Sequence, residues 1–131
     1  MARHFTVEEA NELLGTVRPL VERMVEHRRE VVRQLERKQE LDGLTQTNGG
    51  GLPRQLPADI DDALEAAAAK LRSCIEELTA LGVQIKDLDT GLVDFPSYRN
   101  GEEILLCWQL GEDDIAWWHT PGGGFAGRRP L

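Results

Sequence analysis

Residues 71–88, LRSCIEELTALGVQIKDL, contain the point at which the chain stops repeating like a helix and starts repeating like a strand. Before Gly82, apolar side chains stand at Leu71, Cys74, Leu78 and Leu81, the alternating three and four spacing of a helical seam. After it, Val83 and Ile85 alternate with Gln84 and Lys86, the period of a half-buried strand. Gly82 suits the left-handed position that ends a helix, and Val83 is placed to touch Leu78, as in a Schellman ending. The expected fold class is therefore α+β.

Working upstream, the seam continues through Ala67, Leu64 and Ile60, which gives a helix over 58–81. Residues 42–57, DGLTQTNGGGLPRQLP, have no hydrophobic period but carry consecutive glycines and two prolines, and read as a flexible exposed loop. A phosphate-binding loop would need a Lys and a preceding strand, and neither is present. Further back, Thr6 and Glu9 form a capping box. Leu14, Val17, Val21, Met24, Val31 and Leu35 then mark one face of a helical region over 6–41, interrupted by Arg28. Such a helix would be roughly 50 Å long. Pro19 would strike the carbonyl of Gly15, so a kink or a separate short first helix is expected there. The two helices should fold back as an antiparallel hairpin of coiled-coil character. Either the C-terminal segment or a second copy of the chain must cover its remaining apolar side.

Downstream, VQIKDL, GLVDF, EEILLCWQL and IAWWH read as a small antiparallel sheet over 83–119, with a hairpin turn at Gly111 to Asp114. Asn100-Gly101 is a turn signal, and Pro96 makes the residues before it a poor strand. Residues 120–131 are a glycine-rich tail that should fray unless docked. Phe125 is its natural anchor, and Arg128 or Arg129 is placed to reach an acid such as Asp94 or a ligand anion.

A length of 131 residues fits a single domain, 1–131, large enough to need no disulfide or metal for stability. Cys74 and Cys107 have no close-spaced cysteine partner, which points to reduced thiols and a cytoplasmic location, with Cys74 a small core residue. The polar N-terminus lacks a signal-peptide core and no apolar run is long enough to span a bilayer, so no membrane role is expected. A net charge of -8 argues against nucleic acid as a partner. Arg29, Arg33 and Arg37 do form a stripe, but beside Glu22, Glu26 and Glu30 they read as a salt-bridged solvated face.

The chemistry is concentrated at the C-terminal end. All three Trp, the only Tyr and two of the three Phe lie in residues 91–131, together with Cys107 and His119. Cys107 and His119 suggest a thiol and imidazole pair, or two metal ligands completed by Asp94, Asp89 or Glu112. Matching core faces across the hairpin places Leu110 opposite Ile115 and Leu106 opposite His119, which sends Cys107 to the other face, toward Trp118. A register shifted by one residue would bring Cys107 opposite or diagonal to His119, but would mix Glu103 and Gln109 with Ile115 and Trp117. The preferred register instead gives a face of Trp108, Trp117 and His119, and a pocket walled by the two Trp. His119 there is either an imidazole bonded to backbone at a sheet end, or a ligand or base. Asp87, Asp89 and Asp94 are turn caps or oxygen ligands for a hard cation. His27 lacks the Glu three residues before it that a ferritin-like carboxylate site requires, since Met24 stands there.

FTVEEANELL, VQIKDLDTGLVDFP, LCWQLGEDDIAWWH and GFAGRRPL together resemble the uncharacterised bacterial family catalogued as domain of unknown function 2203. The resemblance covers nearly the whole chain apart from the glycine loop. It supplies no established activity and no catalytic roles, and leaves any cofactor unknown. It directs attention to the positions matching its motif, Gly91, Asp94, Phe95, Pro96, Cys107, Trp108, Gly111, Glu112, His119, Phe125, Gly127 and Arg128.

Two functional expectations follow. The first is a non-enzymatic cytosolic interaction module acting as a homodimer through its helical hairpin. The second is a small-ligand or metal-binding protein, or an enzyme, that uses a Trp-walled pocket near His119 with Asp94, Trp108, Glu112, Trp117, His119 and Arg128, and with Asp94 and His119 as metal candidates. Whether Asp94, Glu112, His119 and Arg128 face one cavity separates the two.

Overall fold

The computed structural model describes residues 3–48 and 55–131, with side chains for 3–43 and 56–131. Two helices come first, α1 over Val7–Asn48 and α2 over Gln55–Ala80. An antiparallel meander follows, with β1 at Gln84–Asp87, β2 at Leu92–Arg99, β3 at Glu102–Gln109, β4 at Trp117–His119 and β5 at Arg129–Pro130. Its strands are hydrogen-bonded in chain order. The α+β class and the helical hairpin are as the sequence indicates. No helix among the described residues is long and apolar enough to cross a membrane.

The helix ends use the expected chemistry. The Thr6 amide donates to Glu9 Oε1 at 3.0 Å and the Glu9 amide to Thr6 Oγ1 at 3.1 Å, so each satisfies a donor the first turn leaves free. At the end of α2, Gly82 has φ 91°, and the Val83 amide reaches the Leu78 carbonyl at 3.2 Å. α1 runs through Pro19 as one element, so of the two expectations there the separate first helix does not form. Pro19 is exposed while Val17, Leu20, Val21 and Met24 around it are buried, and that packing outweighs the local propensity. α1 also continues to Asn48 and α2 starts at Gln55, inside the stretch read as a loop. Residues 49–54 of that stretch lie outside the described residues. Leu41 and Ile60, both buried, and the 3.0 Å Lys38–Asp61 ion pair join the helices near this end.

The core lies between the hairpin and one face of the sheet. Val93 and Phe95 of β2 and Ile104, Leu106 and Trp108 of β3 meet Leu14, Val17, Val21 and Met24 of α1 and Leu71, Cys74 and Leu78 of α2. The turn into β2 comes so close to α1 that only glycine fits. Gly91 has φ 71°, and a Cβ there would lie 2.8 Å from Val21 Cγ1 and 2.9 Å from Leu110 Cβ.

Pro96 sits inside β2, although it was expected to spoil the strand. β1 pairs with β2 only as far as Asp94, so the Pro96 nitrogen, which faces away from β3, meets no strand. The Pro96 carbonyl on that edge accepts the Phe5 amide at 2.7 Å, and Ser97 Oγ donates to the Phe5 carbonyl.

The β3–β4 register also differs from the core-face expectation. β4 pairs Leu105 with His119, Leu106 with Trp118 and Cys107 with Trp117, one residue away from the pairing that would keep Leu106 opposite His119. The cause lies in α1. Asn11 Oδ1 takes the Ile115 amide at 2.8 Å, and Arg18 donates to the Glu112 and Asp113 carbonyls at 3.0 and 3.1 Å. Ile115 therefore enters the core from a loop rather than from the strand, and its alternation with Trp117 and His119 no longer defines one face.

Candidate metal centre

The observed register brings three polar groups together on the outer face of the sheet. Asp94 of β2 lies opposite Cys107 of β3, and His119 of β4 is one step along on the same side. Their exposures are 1% for Asp94, 1% for Cys107 and 2% for His119. One donor atom from each lies within 4.8 Å of the others. The diagonal Cys107–His119 arrangement, disfavoured by core-face matching, is thus the one that forms.

Hydrogen bonding fixes how the imidazole is used. His119 Nδ1 lies 2.6 Å from the Thr120 carbonyl, which only accepts, so Nδ1 carries a proton. Nε2 lies 2.9 Å from Asp94 Oδ2, and these two atoms share the remaining proton. Asp94 Oδ1 is buried and has no hydrogen-bond partner. Burial raises the Asp94 pKa above the ordinary carboxylate value, against the opposing pull of His119. Burial, followed by the neighbouring Asp94 charge, pushes the Cys107 thiol up to about 12, with Arg128 opposing.

This arrangement disfavours a nucleophilic cysteine. A thiol–imidazole–carboxylate relay needs the thiol and the acid on opposite ring nitrogens. Here Nδ1 is held by a backbone carbonyl and Nε2 by Asp94, so no ring nitrogen is left to take the thiol proton. A thiol with a raised pKa is also the unreactive kind. Metal ligation suits the same geometry well, because imidazole, thiolate and carboxylate are the donor types of zinc. A ligating imidazole typically donates its other N–H to a carbonyl or carboxylate, as Nδ1 does to Thr120.

The remaining candidates fall into a second group and a core residue. Arg128 Nη2 donates to both Glu112 oxygens at 2.8 and 2.7 Å, and its guanidinium lies over the rings of Trp117 at 4.9 Å and Phe125 at 4.7 Å. Glu112 Oε1 also accepts the Gln109 amide at 2.7 Å. Arg128, rather than the 49% exposed Phe125, anchors the tail, and its acid is Glu112 rather than Asp94. Trp108 is fully buried on the helix side, with its indole N–H on the Asp113 carbonyl at 3.0 Å. Trp108 and Trp117 lie on opposite faces, so the pocket walled by both does not form. Asp94, Glu112, His119 and Arg128 divide between two clusters. Asp87 caps its own turn through the Asp89 and Thr90 amides, and Asp89 pairs with Arg28 at 3.1 Å.

A cleft of about 200 Å3 reaches Asp94 and His119. Leu92, Pro121, Gly122, Gly124 and Phe125 form its walls, and Lys86 lies at its side. Sequence reading missed Lys86 and Thr120. The available signal for Lys86 was its strand alternation, two residues along from Gln84, which pairs with Asp94. A larger depression of about 340 Å3 lies where α1 begins beside β2. Its polar groups are already engaged, His4 with Glu103, Thr6 with Glu9, and Ser97 with the Phe5 carbonyl.

Fold and site together define a small α+β protein with a buried three-donor cluster beside a cleft. The chain belongs to the family described as "Uncharacterized conserved protein (DUF2203)", whose profile matches residues 3–131. No curated protein and no solved structure gives a significant match.

Proposed function

We propose that the protein binds one divalent cation, with zinc the best chemical match, through His119 Nε2, Cys107 Sγ and a carboxylate oxygen of Asp94. The observation that carries this reading is the convergence of the three donors beside a buried carboxylate oxygen that has no other partner. A cation supplies that partner and reverses the electrostatics that hold the Cys107 thiol protonated, because a coordinating thiol is deprotonated outright. Three protein donors leave a fourth position, the pattern of zinc sites that also bind a water or a small ligand. The cleft at Asp94 and His119 gives that position access.

Metal analysis of protein purified without chelators tests the proposal. About one equivalent of zinc per chain is expected, with the His119→Ala and Cys107→Ser variants folded but metal-free. Failure of the wild-type chain to retain zinc, cobalt, nickel or manganese after incubation and desalting would overturn it.

A second reading concerns assembly. Leu35 is 45% exposed on α1, with Val31 and Val32 half-buried near it, which favours a second copy packing on the hairpin as a homodimer. Sedimentation showing only monomer at high concentration would remove it. The two free, buried thiols suit a reducing compartment such as the cytoplasm.

A further inference from the structure

We infer that the cleft beside the metal centre receives a small carboxylate with a compact apolar body, about the size of benzoate. The inference builds on the metal reading, since the cation is one of two positive charges that would face the ligand. The other is Lys86, an exposed side chain on the outer face of β1 with no carboxylate within ion-pair distance among the described residues. It lines the same cleft as Asp94 and His119. Gly122 and Gly124 also line the cleft, so no side chain narrows it there. Lys86 and the cation make it attractive to an anion.

The apolar part of the lining sets the rest of the ligand. Leu92, Pro121 and the half-exposed ring of Phe125 are apolar, and a flexible charged tail would gain nothing from them. The volume of about 200 Å3 fixes the scale. A dry cavity of about 150 Å3 holds benzene, so this cleft accommodates one ring and a carboxylate but no nucleotide.

The test is calorimetric titration of the zinc-treated full-length chain with benzoate and with its neutral isostere benzamide, with the zinc content of each sample measured. Benzoate should bind about tenfold more tightly than benzamide, the scale of a charge-assisted hydrogen bond. Lys86→Met should remove that preference with zinc content unchanged, and Lys86→Arg should keep most of it. Equal binding of the two probes, or a preference unaffected by Lys86→Met, in protein that holds zinc overturns the inference and leaves the metal reading standing. Protein that holds no zinc overturns the metal reading. In that case a benzoate preference lost in Lys86→Met upholds the carboxylate site on lysine alone, and its absence overturns both.

Discussion

The two faces of the sheet bury their central side chains by opposite means. On the inner face, Val93, Phe95, Ile104, Leu106 and Trp108 meet two helices and contribute apolar contact. On the outer face, Asp94, Cys107 and His119 lie within a polar cluster, and the short segment that follows β4 supplies much of the cover. Burying apolar area stabilises by about 25 cal/mol per Å2. Burying a carboxylate oxygen without a partner costs free energy, on the order of 1–3 kcal/mol. The inner face therefore holds the fold together, while the outer face stores a cost that a bound cation would offset. Substitutions on the first should act on stability, and those on the second on binding and pH response.

The sharpest separation is expected from Trp108→Ala. It removes the largest fully buried side chain and one of the two donors on the Asp113 carbonyl, which keeps its bond from Arg18. A loss of about 3–5 kcal/mol in urea unfolding is expected, and under the metal proposal the folded fraction of zinc-treated protein should still retain the cation. A mild loss of stability accompanied by loss of metal would erase the distinction between the faces.

The next effect is in base. In the metal-free protein the folded Cys107 thiol titrates near 12 instead of its ordinary 9.0. The folded state then holds a proton that the unfolded chain releases, so stability is fully present below about pH 9 and declines as pH rises toward 12. Within that window the folding constant should fall by up to about tenfold per pH unit. Cys107→Ala should flatten the decline, and zinc should do the same, because metal-bound sulfur carries no proton in either limit. An identical base profile for wild type, variant and zinc-loaded protein would show that the outer-face thiol is not held protonated by its surroundings.

These two faces were not equally legible. Signals spanning a few residues read correctly: the Thr6 and Glu9 box, the seam from Ile60 to Leu81, and the ending at Gly82 all concern neighbours along one helix. Inner-face residues such as Leu106 and Trp108 were visible because apolar alternation reports burial. The outer face depended on register, and register was set at a distance. Asn11 and Arg18 of α1 capture the Ile115 amide and the Glu112 and Asp113 carbonyls, contacts that strand alternation does not encode. One residue of shift exchanged a Trp108, Trp117 and His119 face for an Asp94, Cys107 and His119 cluster. Pro96 and the tail were hidden for a related reason. Pro96 is accommodated by the early end of β1, and the tail by pairing of Trp117 with Pro130 and Trp118 with Arg129.

The smallest expected effect tests whether the tail truly supplies the cover. Arg128 ties it down through a two-bond pair with Glu112 and contacts with the Trp117 and Phe125 rings. Because the Glu112 side chain is 28% exposed, solvent weakens this pair, and Arg128→Met should cost only about 1–2 kcal/mol. The local consequence should be larger than the global one. The Leu131 amide, bonded to the Ala116 carbonyl at 3.0 Å, should exchange with deuterium faster, while the buried β3 amides around Leu106 keep their protection. Arg128→Lys should resemble the Met variant, because an ammonium cannot form the paired bonds while lying flat between two rings. If the tail amides stay protected without the guanidinium, β5 pairing alone holds the cover. If the β3 amides open as well, the two faces are one cooperative unit, and the polar face contributes to the fold as fully as the apolar one.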